Sequence, residues 1–378
     1  MAKDLSKNHD EAADIEVSVV MPCLNEEATV GTCIRKAQET LKKHGIKGEV
    51  VVSDNGSTDR SVEIAESLGA RVVHQPEKGY GNAYIKGLSE ARGRYIVMAD
   101  SDDSYDLTDL MRFIQPLREG YDMVMGSRLK GEIMPGAMPG LHRFGNPILS
   151  GFLNFIYKTG MSDAHCGMRA FTRDALQRMH LRTAGMEFAS EMVIKASKAK
   201  LKVTEIPITL HPDGRGRRPH LRTFRDGWRH LRFILMYSPQ HLFGYFGTAL
   251  FLAGAVLFAA YLLQAADLLV GLVGAFLTLT GWAIGRFGFY ARAHQFTLEF
   301  PDWDLPLQKF FKRFSLEKSL IYGLIRFLIG IILIVWAYQV PALYFERLFF
   351  LGCLVASFGL LTIFDAFLTR ILQFEGLK

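Results

Sequence analysis

The chain has 378 residues, 49% of them hydrophobic, and a formal net charge of +6. This length allows two or three domains. The apolar residues are concentrated after about residue 232, so the composition excludes a single soluble domain and indicates a soluble domain followed by a membrane domain. The basic residues lie largely beside the apolar stretches, which favours an anionic membrane surface over nucleic acid as their partner.

Neither the N-terminal residues nor the cysteines indicate an exported protein. Residues 1–15 are polar and acidic, without the apolar core of a signal peptide, and we expect a disordered tail. No paired metal-ligand spacing is present among the cysteines, so we expect free thiols in a cytosol-facing protein rather than a zinc site built on His165 and Cys166. The cysteines are Cys23, Cys33, Cys166 and Cys353.

Between residues 16 and 220, short apolar strands alternate with segments of helical periodicity. This alternation predicts parallel βαβ units with right-handed crossovers, and therefore an α/β sheet of the nucleotide-binding kind. The predicted strands are Glu16–Met21, Gly48–Ser53, Ala70–His74, the apolar run after Gly93, Tyr121–Gly126 and Leu201–Leu210.

An acidic cluster follows the fourth predicted strand. In an extended segment alternate side chains point the same way, so Asp100 and Asp102 project together and Asp103 faces elsewhere. Two neighbouring carboxylates suit Mg²⁺ or Mn²⁺, which commonly bind one or two carboxylates together with substrate phosphates. The alternative is an acidic turn that caps the next helix. The position at the end of a strand in an α/β sheet favours the metal site.

Two further features suit a nucleotide. Asp54 ends the second strand, where it could accept hydrogen bonds from a base or a ribose, or form an Asx-turn within its own loop. Lys78 and Gly79 place a cation and a flexible loop at a helix N-terminus, which suits phosphate. This loop is not the dinucleotide fingerprint, because Tyr84 stands where G-x-G-x-x-G requires its third glycine.

Arginines accumulate after the fifth strand, on both sides of a Gly/Pro-rich segment. The segment Gly131–Gly140 predicts a mobile lid or a variable surface loop. Arginines at high density favour phosphate binding, with lipid headgroups as the alternative for the basic loop. The arginines are Arg128, Arg143 and, in the basic loop, Arg215, Arg217 and Arg218.

A helix predicted from Gly185 carries Glu187 and Glu191 one turn apart on the same face. A carboxylate here could act as a base on the acceptor side of a reaction. The alternative is a solvated helix face on which Glu191 pairs with Lys195.

The remaining sequence predicts membrane helices. Residues 221–240 have arginines on one side of a helix and apolar residues on the others, as in an interfacial helix. Residues 241–378 contain four apolar stretches, each close to the roughly 20 residues that a membrane-spanning helix needs. The stretches are about 242–263, 268–290, 320–340 and 348–368.

The positive-inside rule predicts the orientation of these stretches. Lys and Arg are concentrated in the connection between the second and third stretches, so both termini and the soluble domain are predicted to be cytoplasmic. Three charged residues, Arg286, Arg326 and Asp365, lie near the inner ends of their helices. They could extend to the interface or pair with each other, and a role near a lipid phosphate is the remaining alternative.

The soluble domain contains four motifs whose residues and order along the chain together resemble those of the family 2 glycosyltransferases of the GT-A fold. The resemblance is strongest to the polyprenyl-phosphate (dolichyl- or undecaprenyl-phosphate) hexosyltransferases, and it extends from Val17 to about Leu231. The motifs are Met21-Pro22-Cys23-Leu24-Asn25-Glu26-Glu27, Ser53-Asp54-Asn55-Gly56-Ser57-Thr58-Asp59, Lys78-Gly79 and Asp100-Ser101-Asp102.

The resemblance implies a role for each motif. Asp100 and Asp102 would bind Mg²⁺ or Mn²⁺ on the diphosphate of a UDP- or GDP-sugar, and Arg128 would approach the sugar phosphate as a catalytic and acceptor-side residue. Where family members carry Ser-Lys in an Arg-rich loop, this chain has Pro219-His220. The residues implied to bind the nucleotide sugar are Pro22, Leu24, Asn25, Glu26, Asp54, Lys78, Gly79, Asp100 and Ser101.

The implied reaction is transfer of a hexose to a polyprenyl phosphate with inversion. A lipid phosphate is already ionised and needs no strong base, whereas a hydroxyl acceptor would need a carboxylate such as Glu191. Two alternatives stay open: a glycolipid synthase acting on a lipid or glycan hydroxyl, and a non-catalytic membrane scaffold with a degenerate transferase domain. The oligomeric state also stays open, a homo-oligomer included.

Overall fold

The computed structural model describes residues 15–214, 223–298 and 305–375. The chain forms two compact units, of which the first ends at Ile234 and the second begins at Leu235. The first unit is an α/β domain, and the described part of the second is helical.

A seven-stranded sheet forms the centre of the first unit. Its strands are β1 (Val17–Cys23), β2 (Gly48–Asp54), β3 (Arg71–His74), β4 (Tyr95–Met98), β5 (Met123–Ile133), β6 (Arg169–Thr172) and β7 (Val203–Leu210). They are ordered β3-β2-β1-β4-β6-β5-β7, so β1 lies between β2 and β4. These three strands are parallel, and their carboxyl ends therefore lie at the same edge of the sheet.

Strand β6 runs antiparallel to both of its neighbours, β4 and β5, so the prediction of parallel units throughout was wrong here. Arg169 begins β6 opposite Met98 and is buried. Its guanidinium donates to three backbone carbonyls, those of Ala164, Cys166 and Ala189. A buried arginine at the start of a four-residue strand gives no alternating apolar pattern, which explains why the sequence does not predict this strand.

Helices alternate with the strands along the chain, as the sequence predicts. The first begins at Val30, and Asn25 lies in the preceding loop, where it adopts a left-handed conformation with φ of 58°. In the main core cluster, Val19, Val52 and Val97 of three adjacent strands are buried together with residues of the helices. The helices that lie wholly within the first unit are α1 (Val30–Lys43), α2 (Ser61–Ser67), α3 (Tyr80–Glu90), α4 (Leu110–Arg118), α5 (Gly140–Tyr157), α6 (Arg173–Met179) and α7 (Phe188–Lys198). Helix α8 (Thr223–Met236) begins in the first unit and ends in the second.

The Gly/Pro-rich segment predicted as a lid or a surface loop is shorter than expected. Strand β5 continues to Ile133, and its last two residues, Glu132 and Ile133, pair with Thr209 and Leu210 of β7 beyond an irregularity in the register. The connection that remains is residues 134–139, which lead into α5.

The second unit contains, within its described residues, four helices long and apolar enough to cross a membrane: Gln240–Leu262, Leu268–Gln295, Leu316–Ala337 and Tyr344–Gln373. They belong to helices α9 (Phe246–Leu262), α10 (Leu268–Leu298), α12 (Leu316–Ala337) and α13 (Ala342–Glu375). A π-helical turn at Gln240–Tyr245 precedes α9. A short helix, α11 (Leu305–Arg313), stands before α12. The four predicted membrane stretches are confirmed as helices.

Glycines bring the helices of each consecutive pair into close contact. A Cβ added to Gly247 of α9 would lie 2.6 Å from the backbone nitrogen of Gly285 in α10. A Cβ added to Gly330 of α12 would lie 2.4 Å from the backbone nitrogen of Ala356 in α13. Small residues of this kind allow membrane helices to pack backbone to backbone. The unit therefore consists of two close-packed helical hairpins, α9–α10 and α12–α13.

An ion pair joins the two hairpins. Arg286 of α10 pairs with Asp365 of α13 and also donates a hydrogen bond to Thr369. Of the alternatives predicted for the charged membrane residues, pairing is the one found for Arg286 and Asp365. Arg326 instead donates to the hydroxyl of Thr362 at 3.3 Å.

Candidate active site

The loops that follow β1, β2 and β4 lie side by side at one edge of the sheet. Cys23 at the end of β1 is in register with Asp54 at the end of β2, and Val20 of β1 is in register with Met98 at the end of β4. The Ser101 hydroxyl donates to the carbonyl of Pro22 at 2.6 Å. The acidic cluster is therefore tied to the end of the neighbouring strand.

Side chains of the β2 loop hold the loop after β1. The backbone N–H of Asn25 donates to Ser57 Oγ at 2.9 Å, and the Asn25 side chain accepts from the N–H of Thr58 at 2.7 Å. The next residue, Glu26, donates its N–H to Ser61 Oγ at 2.7 Å and is buried. Leu24 and Pro22 are half-buried beside them. These contacts bring together the residues predicted to line the nucleotide.

Asp54 forms the Asx-turn that was its alternative assignment, and it remains at the predicted edge. Its carboxylate accepts from the N–H groups of Gly56 and Ser57 at 3.2 and 2.9 Å and lies 3.2 Å from Nδ1 of His74. Burial acts to raise the pKa of Asp54, but the hydrogen bonds from Ser57, His74 and Gly56 outweigh it and the net pKa is lowered. Asp54 is therefore an ionised, fixed acceptor.

Lys78 and Gly79 continue this edge at the start of α3. Lys78 Nζ donates to the carbonyls of Asn55 and Gly56 at 2.7 and 3.1 Å, and the N–H of Gly79 donates to the Asn55 side chain at 2.8 Å. The cation and the helix N-terminus thus lie against the β2 loop, at the sheet edge where a phosphate was predicted.

Asp100 is held by two tyrosines of α3. The phenols of Tyr80 and Tyr84 each donate to Asp100 Oδ1 at 3.1 Å. Burial first, and then the negative charge of Asp100, raise the pKa of Tyr84 well above its ordinary value, so that its phenol stays a neutral donor. The carboxylate orientation is consequently set by α3.

Asp102 and Asp103 occupy different environments in the loop after β4. The strand ends at Met98, so the alternation expected of an extended segment does not apply to these residues. Asp102 is buried, and its Oδ1 accepts from the N–H and the hydroxyl of Ser104 at 3.0 and 2.6 Å. Asp103 has a φ of 60° and forms an ion pair with Lys36 at 2.7 Å. Asp103 therefore serves the packing of α1 rather than the edge where Asp100 lies.

Asp100 and Asp102 are the residues predicted to offer hard oxygen donors to a divalent cation. Within the described ranges, no three His, Cys, Asp or Glu side chains form a group that could hold a metal ion. Phosphate and water oxygens would therefore have to complete the coordination, which is the usual pattern for Mg²⁺ bound with a nucleotide. The residues present fit a metal that arrives with its substrate.

Arg128 is engaged by Asp163, a residue that the sequence did not single out. Nε and Nη2 of Arg128 donate to the two oxygens of Asp163 at 2.7 and 2.8 Å, and Asp163 is fully buried. Burial acts to lower the pKa of Arg128, but the contact with Asp163 outweighs it and keeps the guanidinium charged. Arg128, the predicted phosphate ligand, is thus paired with Asp163, and this pairing fixes the orientation of its guanidinium.

The other predicted phosphate ligands have different surroundings. Arg143 lies in the first turn of α5 and is exposed. Next to it the same helix exposes a row of apolar side chains, Leu141, Phe144 and Ile148, which are 57%, 75% and 71% exposed. The predictions for Arg215, Arg217 and Arg218 fall outside the residues that the structure describes.

Glu191 lies in α7 and is completely buried, as is Lys195, with 2.7 Å between the two charged groups. The Glu191 carboxylate accepts from the backbone N–H groups of Arg182 and Thr183. This burial contradicts the solvated face that was the alternative, and the same contacts argue against Glu191 as an acceptor-side base.

The cysteines are free thiols, as expected. Burial is the main cause that raises the pKa of Cys23 to about 11 and that of Cys166 to about 12. His165, the neighbour of Cys166, has its Nε2 at 3.2 Å from the hydroxyl of Ser190.

Tyr80 and Tyr84 were missed by sequence reasoning. Their spacing of four residues on the helix that follows Lys78-Gly79 places them on one face, and this spacing was a readable signal. Asp163 had no such signal, because its partner Arg128 is 35 residues away.

Comparison with known proteins identifies the family. A model of glycosyl transferase family 2 matches residues 18–179. The low-salt glycan biosynthesis hexosyltransferase Agl6 of Haloferax volcanii is 41% identical over 353 residues, which cover 87% of this chain and 83% of that protein. The chain belongs to glycosyl transferase family 2. The resemblance carried by the four motifs is thereby confirmed, and the chain is a glycosyltransferase.

This family 2 glycosyltransferase is also similar in sequence to a second relative and in fold to a solved structure. A dolichyl-phosphate hexose transferase of Haloferax volcanii is 32% identical over 195 residues, 51% of this chain and 82% of that protein. A crystal structure of a mycobacterial protein, 20% identical, matches with a TM-score of 0.50 over 62% of this chain and 78% of that one, a likeness in fold. The predicted fold class, a GT-A domain followed by four candidate transmembrane helices, is confirmed.

Proposed function

We propose that this membrane glycosyltransferase moves a hexose from a nucleoside diphosphate sugar to a polyprenyl phosphate, with inversion at the anomeric carbon and with a divalent metal ion. One observation carries the donor half of the proposal. Asp100 and Asp102 follow β4 at the sheet edge that also carries the β1 loop, Asp54 and Lys78. Ligands of open α/β sheets bind at such an edge.

The donor would be held by groups of different kinds along this edge. Asn25, Glu26 and Asp54, together with Pro22 and Leu24, would line the base and ribose. Gly79 at the start of α3, with Lys78 beside it, would face the diphosphate, because a helix N-terminus favours negative charge. A metal ion bound by Asp100 and Asp102, Mg²⁺ or Mn²⁺, would stabilise the charge that develops on the leaving diphosphate.

The acceptor is proposed to be a phosphate because an ionised phosphate can attack without a general base. An ionised phosphate oxygen attacks the anomeric carbon from the face opposite the diphosphate, the bond from that carbon to the diphosphate oxygen breaks, and no proton needs to be removed. A hydroxyl acceptor would need a free carboxylate, and Glu191, the candidate for that role, is buried against Lys195. Arg128 and Arg143, with the basic loop at Arg215, Arg217 and Arg218, are proposed to hold the acceptor phosphate.

The lipid part of the proposal is supported by the four apolar helices and by the relative named as a dolichyl-phosphate hexose transferase. The distribution of Lys and Arg supports a cytoplasmic position for the catalytic unit and both termini.

One assay tests this proposal. The purified full chain in detergent is incubated with a panel of UDP- and GDP-hexoses, polyprenyl phosphate and either Mg²⁺ or Mn²⁺. We expect one nucleotide sugar to give a lipid product that mild acid hydrolyses, as expected for a sugar joined to a phosphate, and addition of a chelator to stop its formation. Sugar transfer to a neutral lipid, without any acid-labile product, would establish the glycolipid synthase instead. Absence of transfer to either lipid class would favour the scaffold.

A further inference from the structure

Glu191 and Lys195 form a buried ion pair, and each of them also makes hydrogen bonds to the backbone of residues 180–183. Lys195 Nζ donates to the carbonyl of His180 at 2.6 Å. The Glu191 oxygens accept from the N–H of Arg182 at 3.0 and 3.1 Å and from the N–H of Thr183 at 2.9 Å. A fully desolvated pair is stable only where its other donors and acceptors are satisfied. The pair therefore fixes the path of residues 180–183.

The end of this segment, at residues 183 and 184, packs closely against the start of α3. The carbonyl of Ala184 accepts from the N–H of Asn82 at 3.2 Å. A Cβ added to Gly81 would lie 1.9 Å from the carbonyl oxygen of Thr183, and one added to Gly79 would lie 2.3 Å from that of Ala184. Only glycine allows this approach at both positions. The position of the α3 N-terminus thus depends on the position of residues 183 and 184.

Helix α7 reaches α3 by a second route. Phe188, the first residue of α7, is fully buried and stacks on Tyr84 with ring planes 1° apart and centroids 5.8 Å apart. Tyr84 in turn donates its hydrogen bond to Asp100. Helix α7 is therefore linked to the start of α3 through residues 180–184, and through Phe188 it directly contacts the tyrosine that orients Asp100.

We propose that the Glu191–Lys195 ion pair is a positioning device for the donor diphosphate site, because it fixes residues 180–184 and, through them, the start of α3 with Gly79, Tyr80 and Tyr84. This inference rests on the proposed function for the identity of the ligand. Glu191 and Lys195 are positioning residues, without contact to the reacting atoms.

The structural coupling is tested first, without any ligand. Hydrogen exchange measured by mass spectrometry on the full chain in detergent compares the wild type with Lys195→Met and Glu191→Gln. We expect faster exchange in residues 180–184 and also in residues 79–84. Val193→Ala is the matched control, since Val193 is buried in the same helix but lines a separate cavity of about 220 Å³ with Met123 and Ser197. Exchange in residues 79–84 that stays at the wild-type rate in both variants overturns the proposal.

The consequence for the donor is tested by calorimetric titration of UDP and of GDP, each with Mn²⁺. We expect Glu191→Gln and Lys195→Met each to weaken binding of the preferred nucleotide roughly tenfold, and the double variant to weaken it by less than the product of the two single effects. Gly81→Ala, which changes neither residue of the ion pair but places a Cβ against Thr183, is expected to weaken binding as well. Val193→Ala is expected to lower the melting temperature and to keep wild-type nucleotide affinity.

Two outcomes separate this inference from the proposed function. Glu191→Gln with wild-type nucleotide affinity, lost turnover and an altered pH profile would identify an acceptor-side base and overturn the positioning role. A wild-type chain that binds neither UDP nor GDP with Mn²⁺ would overturn the proposed function, and with it the donor role of the pair, even where hydrogen exchange shows the coupling.

Discussion

Arg128 and Asp163 meet through two parallel hydrogen bonds, from Nε to Oδ2 at 2.7 Å and from Nη2 to Oδ1 at 2.8 Å. Asp163 also accepts from the backbone N–H of Arg128 at 3.1 Å. The Arg128 side chain is 11% exposed and the Asp163 side chain is fully buried. The pair consequently joins β5 to the loop that precedes β6, and it sets the direction from which Arg128 can meet a phosphate.

Removing one partner of this pair leaves the other charge buried without compensation. We expect Asp163→Ala to lower the free energy of unfolding of the first unit by about 3–5 kcal/mol. The measurement is a denaturant titration of the full chain in detergent. Lys86→Gln is the control, because it removes a half-exposed pair with Glu90 and should change stability by less than about 1 kcal/mol. Equal losses in the two variants would contradict a special contribution from Asp163.

Asp102→Asn tests the predicted metal site. Asparagine keeps an oxygen that can accept the bonds from Ser104 but removes the charge that a divalent cation needs. We expect metal-dependent transfer to fall by about 100-fold or more, with little change in melting temperature. Asp103→Asn is the control, since Asp103 pairs with Lys36. Similar activity losses in both variants would indicate an acidic turn rather than a metal ligand.

Tyr84→Phe tests whether α3 orients Asp100. The buried phenol of Tyr84 donates to Asp100 Oδ1, and loss of a partner behind a metal ligand typically weakens metal affinity by about 10–100-fold. The change is measured as the Mn²⁺ concentration that half-saturates nucleotide binding. Tyr121→Phe is the control. Tyr121 precedes β5, at the opposite end of the strands from Asp100, and this variant should keep the wild-type value. An unchanged Mn²⁺ requirement in Tyr84→Phe would leave the tyrosine with a packing role alone.

Asp54 predicts a pH dependence of stability. Burial acts to raise its pKa, but hydrogen bonds from Ser57, His74 and Gly56 leave the net pKa below the ordinary value of 3.8. A lowered folded-state pKa gives stabilisation that is complete above the unfolded pKa and is lost as the pH falls through the folded one. Asp54→Asn should therefore destabilise the chain most at neutral pH, and the difference from wild type should shrink below about pH 4. A difference that stays constant between pH 7 and pH 3 would contradict this account.

Much of the fold and part of the site are readable in the sequence. The strand ends can be predicted because apolar runs stop at polar motifs, and the parallel arrangement of the strands then places those motifs at one edge of the sheet. The features that could not be predicted depend on contacts between residues far apart in the sequence. Strand β6 begins with a buried arginine, and Glu191 looks like a solvated or reactive carboxylate until its partners on the backbone of Arg182 and Thr183 are known.

The glycine contacts in the second unit have a consequence for how the chain is made. Each close approach, such as Gly247 with Gly285 or Gly330 with Ala356, lies between consecutive helices. Each hairpin can therefore enter the bilayer and pack as soon as its own two helices have been synthesised, before the other exists. The ion pair between Arg286 and Asp365 needs one helix from each hairpin, so it can form only after α13 has been synthesised.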